Sequence, residues 1–98
     1  MMIYKEKNGN ALTVTLEGRL DTTTAPALEQ TLRGSLDGVS ELTLDFEGLE
    51  YISSAGLRVL LSAQKTMNKH GGMKLKNVNE TIREIFEVTG FSDILTIE

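Results

Sequence analysis

Apolar residues alternate with polar ones in two stretches of the chain and recur at three- and four-residue steps in three others. Ala11-Leu12-Thr13-Val14-Thr15-Leu16 alternates with period two, as a strand with one buried face does. Ile3-Tyr4 lies before it across Asn8-Gly9-Asn10, so the two segments predict an antiparallel hairpin. Beyond them, Leu28, Leu32 and Leu36 repeat every four residues. Thr24 or a neighbouring threonine can cap that helix, Pro26 fits its first turn, and Gly38 would end it. Glu41 to Phe46 alternates again, with Leu42, Leu44 and Phe46 on one face, and the chain then turns through Glu47-Gly48. Val59, Leu60, Ala63 and Met67 form the stripe of a second helix, from Ser54 to about Lys69, closed by Asn68-Lys69-His70-Gly71-Gly72. Met73-Lys74-Leu75 reads as a further strand. Asn79 can cap a last helix from Glu80 to Val88, with Ile82, Ile85 and Phe86 inward and Gly90 as its stop. Ile94 to Ile97 then forms a short strand or a helix end.

Strands alternating with helices predict an α/β fold, a mixed β-sheet with an N-terminal hairpin, covered by α-helices. The 98 residues, 40% hydrophobic and 24% charged, suit one core and predict a single domain over residues 1–98. The absence of cysteine excludes a disulfide framework and a thiolate zinc site, and no oxidising compartment is needed. MMIYKEKNGN turns charged after four residues, and no stretch approaches the roughly 20 apolar residues of a membrane span. A cytoplasmic protein that does not bind membranes is expected. A net charge of −4, mixed signs along the chain, and only two tyrosines and three phenylalanines give no basic footprint for direct nucleic-acid binding.

The segment YISSAGLRVLL, residues 51–61, sets two hydroxyls and two tiny residues between a strand end and a helix. One serine, Ser53 or Ser54, is accounted for as an N-cap. The second needs another reason. A serine at that corner, with Ser54 at the cap position and the helix starting at Ala55, lies beside free N–H groups and the positive helix end, which favour a phosphate. Ala55 and Gly56 would keep the corner open to another protein's active site. Catalysis by the chain itself lacks a base. His70, the sole histidine, is sixteen positions beyond Ser54, about 24 Å at about 1.5 Å per residue, and suits the helix C-terminus instead. Asp45, Glu47 and Glu50 flank the serines without a histidine or cysteine to complete a metal site, and the glycines lack phosphate-loop spacing. No enzyme activity, metal or cofactor is expected.

DFEGLEYISSAGLRVLL resembles the signature of the STAS domain family, and within it the bacterial anti-sigma factor antagonists. There a strand ends in a hydrophobic pair followed by Asp-Ser-Ser-Gly-Leu or Asp-Ser-Ala-Gly-Leu. Gly18-Arg19-Leu20-Asp21 matches the family's Gly-x-Leu-Asp segment, and the hairpin before it and the helix from Asn79 to Gly90 fall in the family's order. The resemblance implies a STAS fold and a monomeric partner switch. The unphosphorylated antagonist binds an anti-sigma factor that is also a serine kinase and so frees a sigma factor; phosphorylation reverses this, and a phosphoserine phosphatase resets it. The phosphoacceptor two places before the glycine falls on Ser54, with Ser53 the less favoured acceptor. The family's preceding Asp is replaced by Ser53, which removes a carboxylate beside the acceptor. Asp21 matches an Asp near the phosphorylation corner, and its own residue chemistry also suits a turn that caps Thr22-Thr23-Thr24. The implied partner surface comprises Asp21, Thr22, Thr23, Ser53, Ala55, Gly56, Leu57 and Arg58, in which Leu57 leans to the core and Arg58 to solvent. A STAS adaptor or scaffold that is not phosphorylated, in a signalling or lipid-transport assembly, is the alternative.

Overall fold

A computed structural model describes all residues from Met1 to Glu98. Strand β1 (Met2–Asn8) pairs antiparallel with β2 (Ala11–Leu20), closing the expected hairpin from Met2 opposite Glu17 to Asn8 opposite Ala11. Helix α1 (Ala25–Arg33) connects β2 to the parallel strand β3 (Glu41–Ile52), and helix α2 (Ser54–Asn68) connects β3 to the parallel β4 (Gly72–Lys76). The sheet order is β1-β2-β3-β4. Helix α3 (Glu80–Thr89) and a single 3-10 turn (Phe91–Asp93) complete the chain, and Ile97 bridges Leu75 on the outer side of β4. The expected mixed sheet covered by helices is the fold observed.

One face of the sheet carries the core. Leu12, Val14, Leu16 and Leu20 of β2 and Leu42, Leu44, Phe46, Leu49 and Ile52 of β3 are buried under the helices. Their neighbours Thr13, Thr15, Glu17, Thr43 and Glu47 project from the other face and stay half-buried or exposed, because successive strand residues point to opposite sides. Helix α1 contributes Leu28 and Leu32, α2 contributes Leu60 and Met67, and α3 contributes Ile82 and Phe86, whose ring lies 6.4 Å from that of Phe46. Asn79 caps α3 as expected: its Oδ1 accepts from Ile82 N–H at 2.9 Å while its Nδ2 donates to the Leu49 carbonyl at 3.0 Å, tying the helix start to β3. Gly90 ends α3 with φ +82, a left-handed value that glycine adopts without a Cβ clash.

Three expectations about element lengths need correction. Both central strands run past the segments that alternate, β2 to Leu20 and β3 through Glu47-Gly48 to Ile52, so no turn interrupts β3. The cause in β3 is a pair of register shifts, between Thr15 and Glu17 and between Gly18 and Arg19, each adding a residue to β3, after which its burial steps by three, Phe46 to Leu49 to Ile52, whereas β2 keeps its alternation from Leu16 past the half-buried Gly18 to Leu20. In β3 period two is lost while the ladder continues. Helix α1 stops at Arg33, well before Gly38. The Gly34 N–H bonds back to the Gln30 and Leu32 carbonyls, and Leu36 sits half-buried in the following turn. Helix α2 ends at Asn68, with Lys69 as its C-cap. His70 then places Nδ1 2.9 Å from the Thr66 carbonyl, at the helix C-terminus where its charge chemistry suggested.

Candidate functional site at the carboxyl ends of the central strands

The parallel pairing of β2 with β3 brings the candidate residues together. Leu20 pairs with Ile52, and the Ser53 N–H donates to the Leu20 carbonyl at 2.9 Å, so Asp21 and Ser53 leave adjacent strands side by side. From there β2 passes into the Asp21–Thr24 turn and β3 passes directly into α2. Asp21, Thr22, Thr23, Ser53 and Ser54 therefore share one corner, although 33 positions separate its extremes in the chain.

Asp21 holds its own turn. Its Oδ1 accepts from the Thr23 N–H at 3.0 Å, the Thr23 hydroxyl at 2.7 Å and the Thr24 N–H at 3.2 Å. The Thr23 hydroxyl, foremost among these donors, holds the Asp21 carboxyl below the usual carboxylate range. Thr24 stands at the N-cap of α1 as expected, but its hydroxyl faces backwards. It accepts from the Asp21 N–H at 2.9 Å and donates to the Arg19 carbonyl at 2.8 Å, so no side chain caps α1, while Asp21 closes the turn before it. The turn-capping reading of Asp21 thus describes its hydrogen bonds. Thr22 and Thr23 are exposed and Asp21 is half-buried.

Across the corner, the placement of the cap on Ser54 is corrected. Ser53 is the N-cap, with extended backbone at φ −99 and ψ 176, and its carbonyl accepts the first helical bond from the Leu57 N–H at 3.0 Å. Ser54 is the first helical residue. Neither serine caps through its side chain, and the first turn holds no acid, so the N–H groups of Ser54, Ala55 and Gly56 have no side-chain acceptor. The two hydroxyls differ in access: Ser53 Oγ is buried without a hydrogen-bond partner, whereas Ser54 is exposed. A solvent-facing hydroxyl at the positive end of a 15-residue helix is a group that a kinase can reach and that can carry a phosphate favourably.

Gly56 is required for a reason other than openness. A Cβ there would lie 2.7 Å from Leu20 Cγ and 2.8 Å from Ile52 Cγ1, so the absence of a side chain lets α2 sit directly on the ends of β2 and β3. Ala55 is half-buried, Leu57 is buried at 7% exposure, and Arg58 is exposed, as their positions on the helix suggested. Sequence reasoning missed Arg19 and Tyr51, which pair across β2 and β3 one step before the corner. The Arg19 guanidinium lies 4.4 Å from the centre of the Tyr51 ring, and its Nε is 3.9 Å from Asp21 Oδ2. An arginine and a tyrosine 32 positions apart carry no such signal until the register is known.

The sequence and the fold match those of known proteins. The Mlab, STAS domain family profile covers residues 3–96. The chain belongs to the STAS domain family. Among its relatives, the anti-sigma-B factor antagonist of Bacillus subtilis strain 168 is 31% identical over 93 residues, covering 94% of this chain and 85% of the relative. An anti-sigma factor antagonist from Mycobacterium paratuberculosis superposes with a TM-score of 0.88 at 25% identity, covering 98% of this chain and 83% of that one. The phosphorylated form of the Bacillus cell fate determinant SpoIIAA superposes with a TM-score of 0.77 at 19% identity, covering 99% and 91%, and shares the fold. This STAS chain has no helix long and apolar enough to cross a membrane.

Proposed function

We propose that this STAS domain is an anti-sigma factor antagonist that acts by binding, not by catalysis. Unphosphorylated, it engages an anti-sigma factor through the corner of Asp21, Thr22, Thr23, Ser53, Ala55, Gly56, Leu57 and Arg58, and so releases a sigma factor. The anti-sigma factor is also the serine kinase. It moves the γ-phosphoryl group of ATP to Ser54 Oγ, with ADP leaving and the hydroxyl proton passing to a base of the kinase. A phosphoserine phosphatase reverses the state. The chain works as a monomer and contacts no nucleic acid.

The observation that carries this reading is the contrast between the two hydroxyls: Ser54 is exposed at the first helical position, and Ser53 Oγ is buried. The relatives named as anti-sigma factor antagonists support the partner class, and a shared fold known in a phosphorylated form supports the modification. Phosphate on Ser54 adds about −1.5 to −2 charge at pH 7, which the unpaired N–H groups of the first turn accommodate. The same charge beside Asp21 burdens an interface with bulk, desolvation and like-charge repulsion. Incubation with the host's kinase anti-sigma factor and ATP, followed by phosphopeptide mapping, tests the assignment. Label is expected on Ser54. Ser54→Ala should bind the partner without release and Ser54→Asp should bind it poorly. Label on Ser53 alone would overturn the acceptor, and label on neither serine would favour the adaptor reading, which Ser53 in place of the family's Asp keeps open.

A further inference from the structure

Arg19 and Tyr51 sit on the side of the sheet opposite to the helices. Leu20 and Ile52, the next residues of the same paired strands, are buried at 0% and 2% exposure under α2; the alternation that β2 keeps turns Arg19 to the helix-free face, and Tyr51, its partner across the ladder, lies beside it there. There the guanidinium lies over the tyrosine ring at 4.4 Å, with 59% of the Arg19 side chain exposed. Its one ionic neighbour, Asp21, approaches Nε at 3.9 Å, too far for a hydrogen bond, and Asp21 Oδ1 is already occupied by Thr23 and Thr24. Glu17, on the same strand, accepts from the Tyr4 hydroxyl at 3.1 Å. The terminal nitrogens of Arg19 thus form a planar fork of donors, oriented by the ring beneath it and without an acceptor.

We propose that Arg19, seated on Tyr51, is a specificity-determining residue of the partner interface that takes a carboxylate of the anti-sigma factor in a two-point contact. The proposal rests on the partner-binding reading above and extends that surface around the strand ends onto the open face of the sheet. Three features support it. The pair adjoins Asp21 through the chain and through the ion pair, so it is continuous with the corner. Arg and Tyr are the residue types that concentrate binding energy in interfaces, and a guanidinium fork matches carboxylate geometry. Stacking on the ring also holds the long side chain in place before the partner arrives, which lowers the ordering cost of the contact.

Isothermal titration of the host's kinase-fold anti-sigma factor into the full chain and its variants tests this. Arg19→Ala should weaken binding by about tenfold, and Arg19→Glu by more, since it sets like charges against each other. Arg19→Lys should fall between wild type and Arg19→Ala, because an ammonium is a point charge without the planar fork. Tyr51→Phe should bind as wild type, whereas Tyr51→Ala should lose affinity, because the ring face and not the hydroxyl orients the arginine. The deficit of Arg19→Ala should shrink as salt rises. Circular dichroism and urea midpoints of these exposed-site variants should match wild type. If Arg19→Ala and Arg19→Glu bind within twofold of wild type while Ser54→Asp binds weakly, the carboxylate contact is wrong and the partner reading stands. If wild type itself gives no binding heat with the anti-sigma factor, the partner reading falls and this inference with it.

Discussion

Removing the Ser53 hydroxyl should cost the fold nothing, although a serine at an N-cap ordinarily contributes about 1 kcal/mol. Its oxygen is buried without a partner, so Ser53→Ala discards an unsatisfied polar atom and should leave stability unchanged or raise it by up to about 1 kcal/mol. Urea unfolding measures this; a loss of 1 kcal/mol or more would show that the hydroxyl caps α2 in solution. The same variant should still accept phosphate on Ser54. Asp21 makes the opposite prediction, because its carboxylate is held in the charged form by Thr23 and Thr24. A carboxyl whose folded pKa is depressed contributes stability above its unfolded value, about 3.9, and loses that contribution as pH falls through the lower folded value. Wild type should therefore exceed Asp21→Asn in stability by a constant margin above about pH 5 and by a shrinking one towards pH 2. Parallel denaturation curves across that range check it, and a margin that persists at pH 2 would assign the effect to geometry instead of charge.

Helix α2 and the ends of β2 and β3 meet at Gly56. Replacing it by alanine improves helix propensity by about 0.8–1 kcal/mol, yet the new Cβ would press within 3 Å of Leu20 and Ile52, both deep in the core. Overpacking of this kind costs about 1–3 kcal/mol, so Gly56→Ala should be destabilising on balance, by up to about 2 kcal/mol. The shift of α2 needed to relieve the clash would also move Ser54. Weaker partner binding by Gly56→Ala, together with its lower urea midpoint, is the expected result; a midpoint above wild type would mean the strand ends give way freely. The elements themselves were legible wherever burial follows one period. The hairpin, α3 with its Asn79 cap and Gly90 stop, and the stripe of α2 were all readable for that reason. The second half of β3 was not, because register shifts replace its alternation with steps of three that a local pattern cannot assign, and that of β2 was not, because Gly18 leaves no apolar side chain between Leu16 and Leu20.

The corner works as a switch only if modification leaves the whole molecule folded. An anion at Ser54 faces a helix end without an acid or a side-chain cap, so Ser54→Asp should keep the wild-type circular dichroism spectrum and gain about 0.3–1 kcal/mol at low salt, less at high salt. Thermal unfolding at two ionic strengths measures the gain, and a marked loss of stability would make phosphorylation a disruption of the fold instead of a change of surface. Local sequence determined the helices and strand cores, since periodic burial and capping are properties of neighbouring residues. The Ser-Ser-Ala-Gly segment and Gly18-Arg19-Leu20-Asp21 also marked the two halves of the corner in the chain itself. Only the tertiary structure decided which serine is which: Ser53 at the cap with its hydroxyl enclosed, Ser54 one step on and open to solvent. It alone decided that Gly56 is a packing residue and that Arg19 rests on Tyr51. Each of these depends on the register between β2 and β3, a long-range pairing displaced by irregularities that no spacing along one strand reveals.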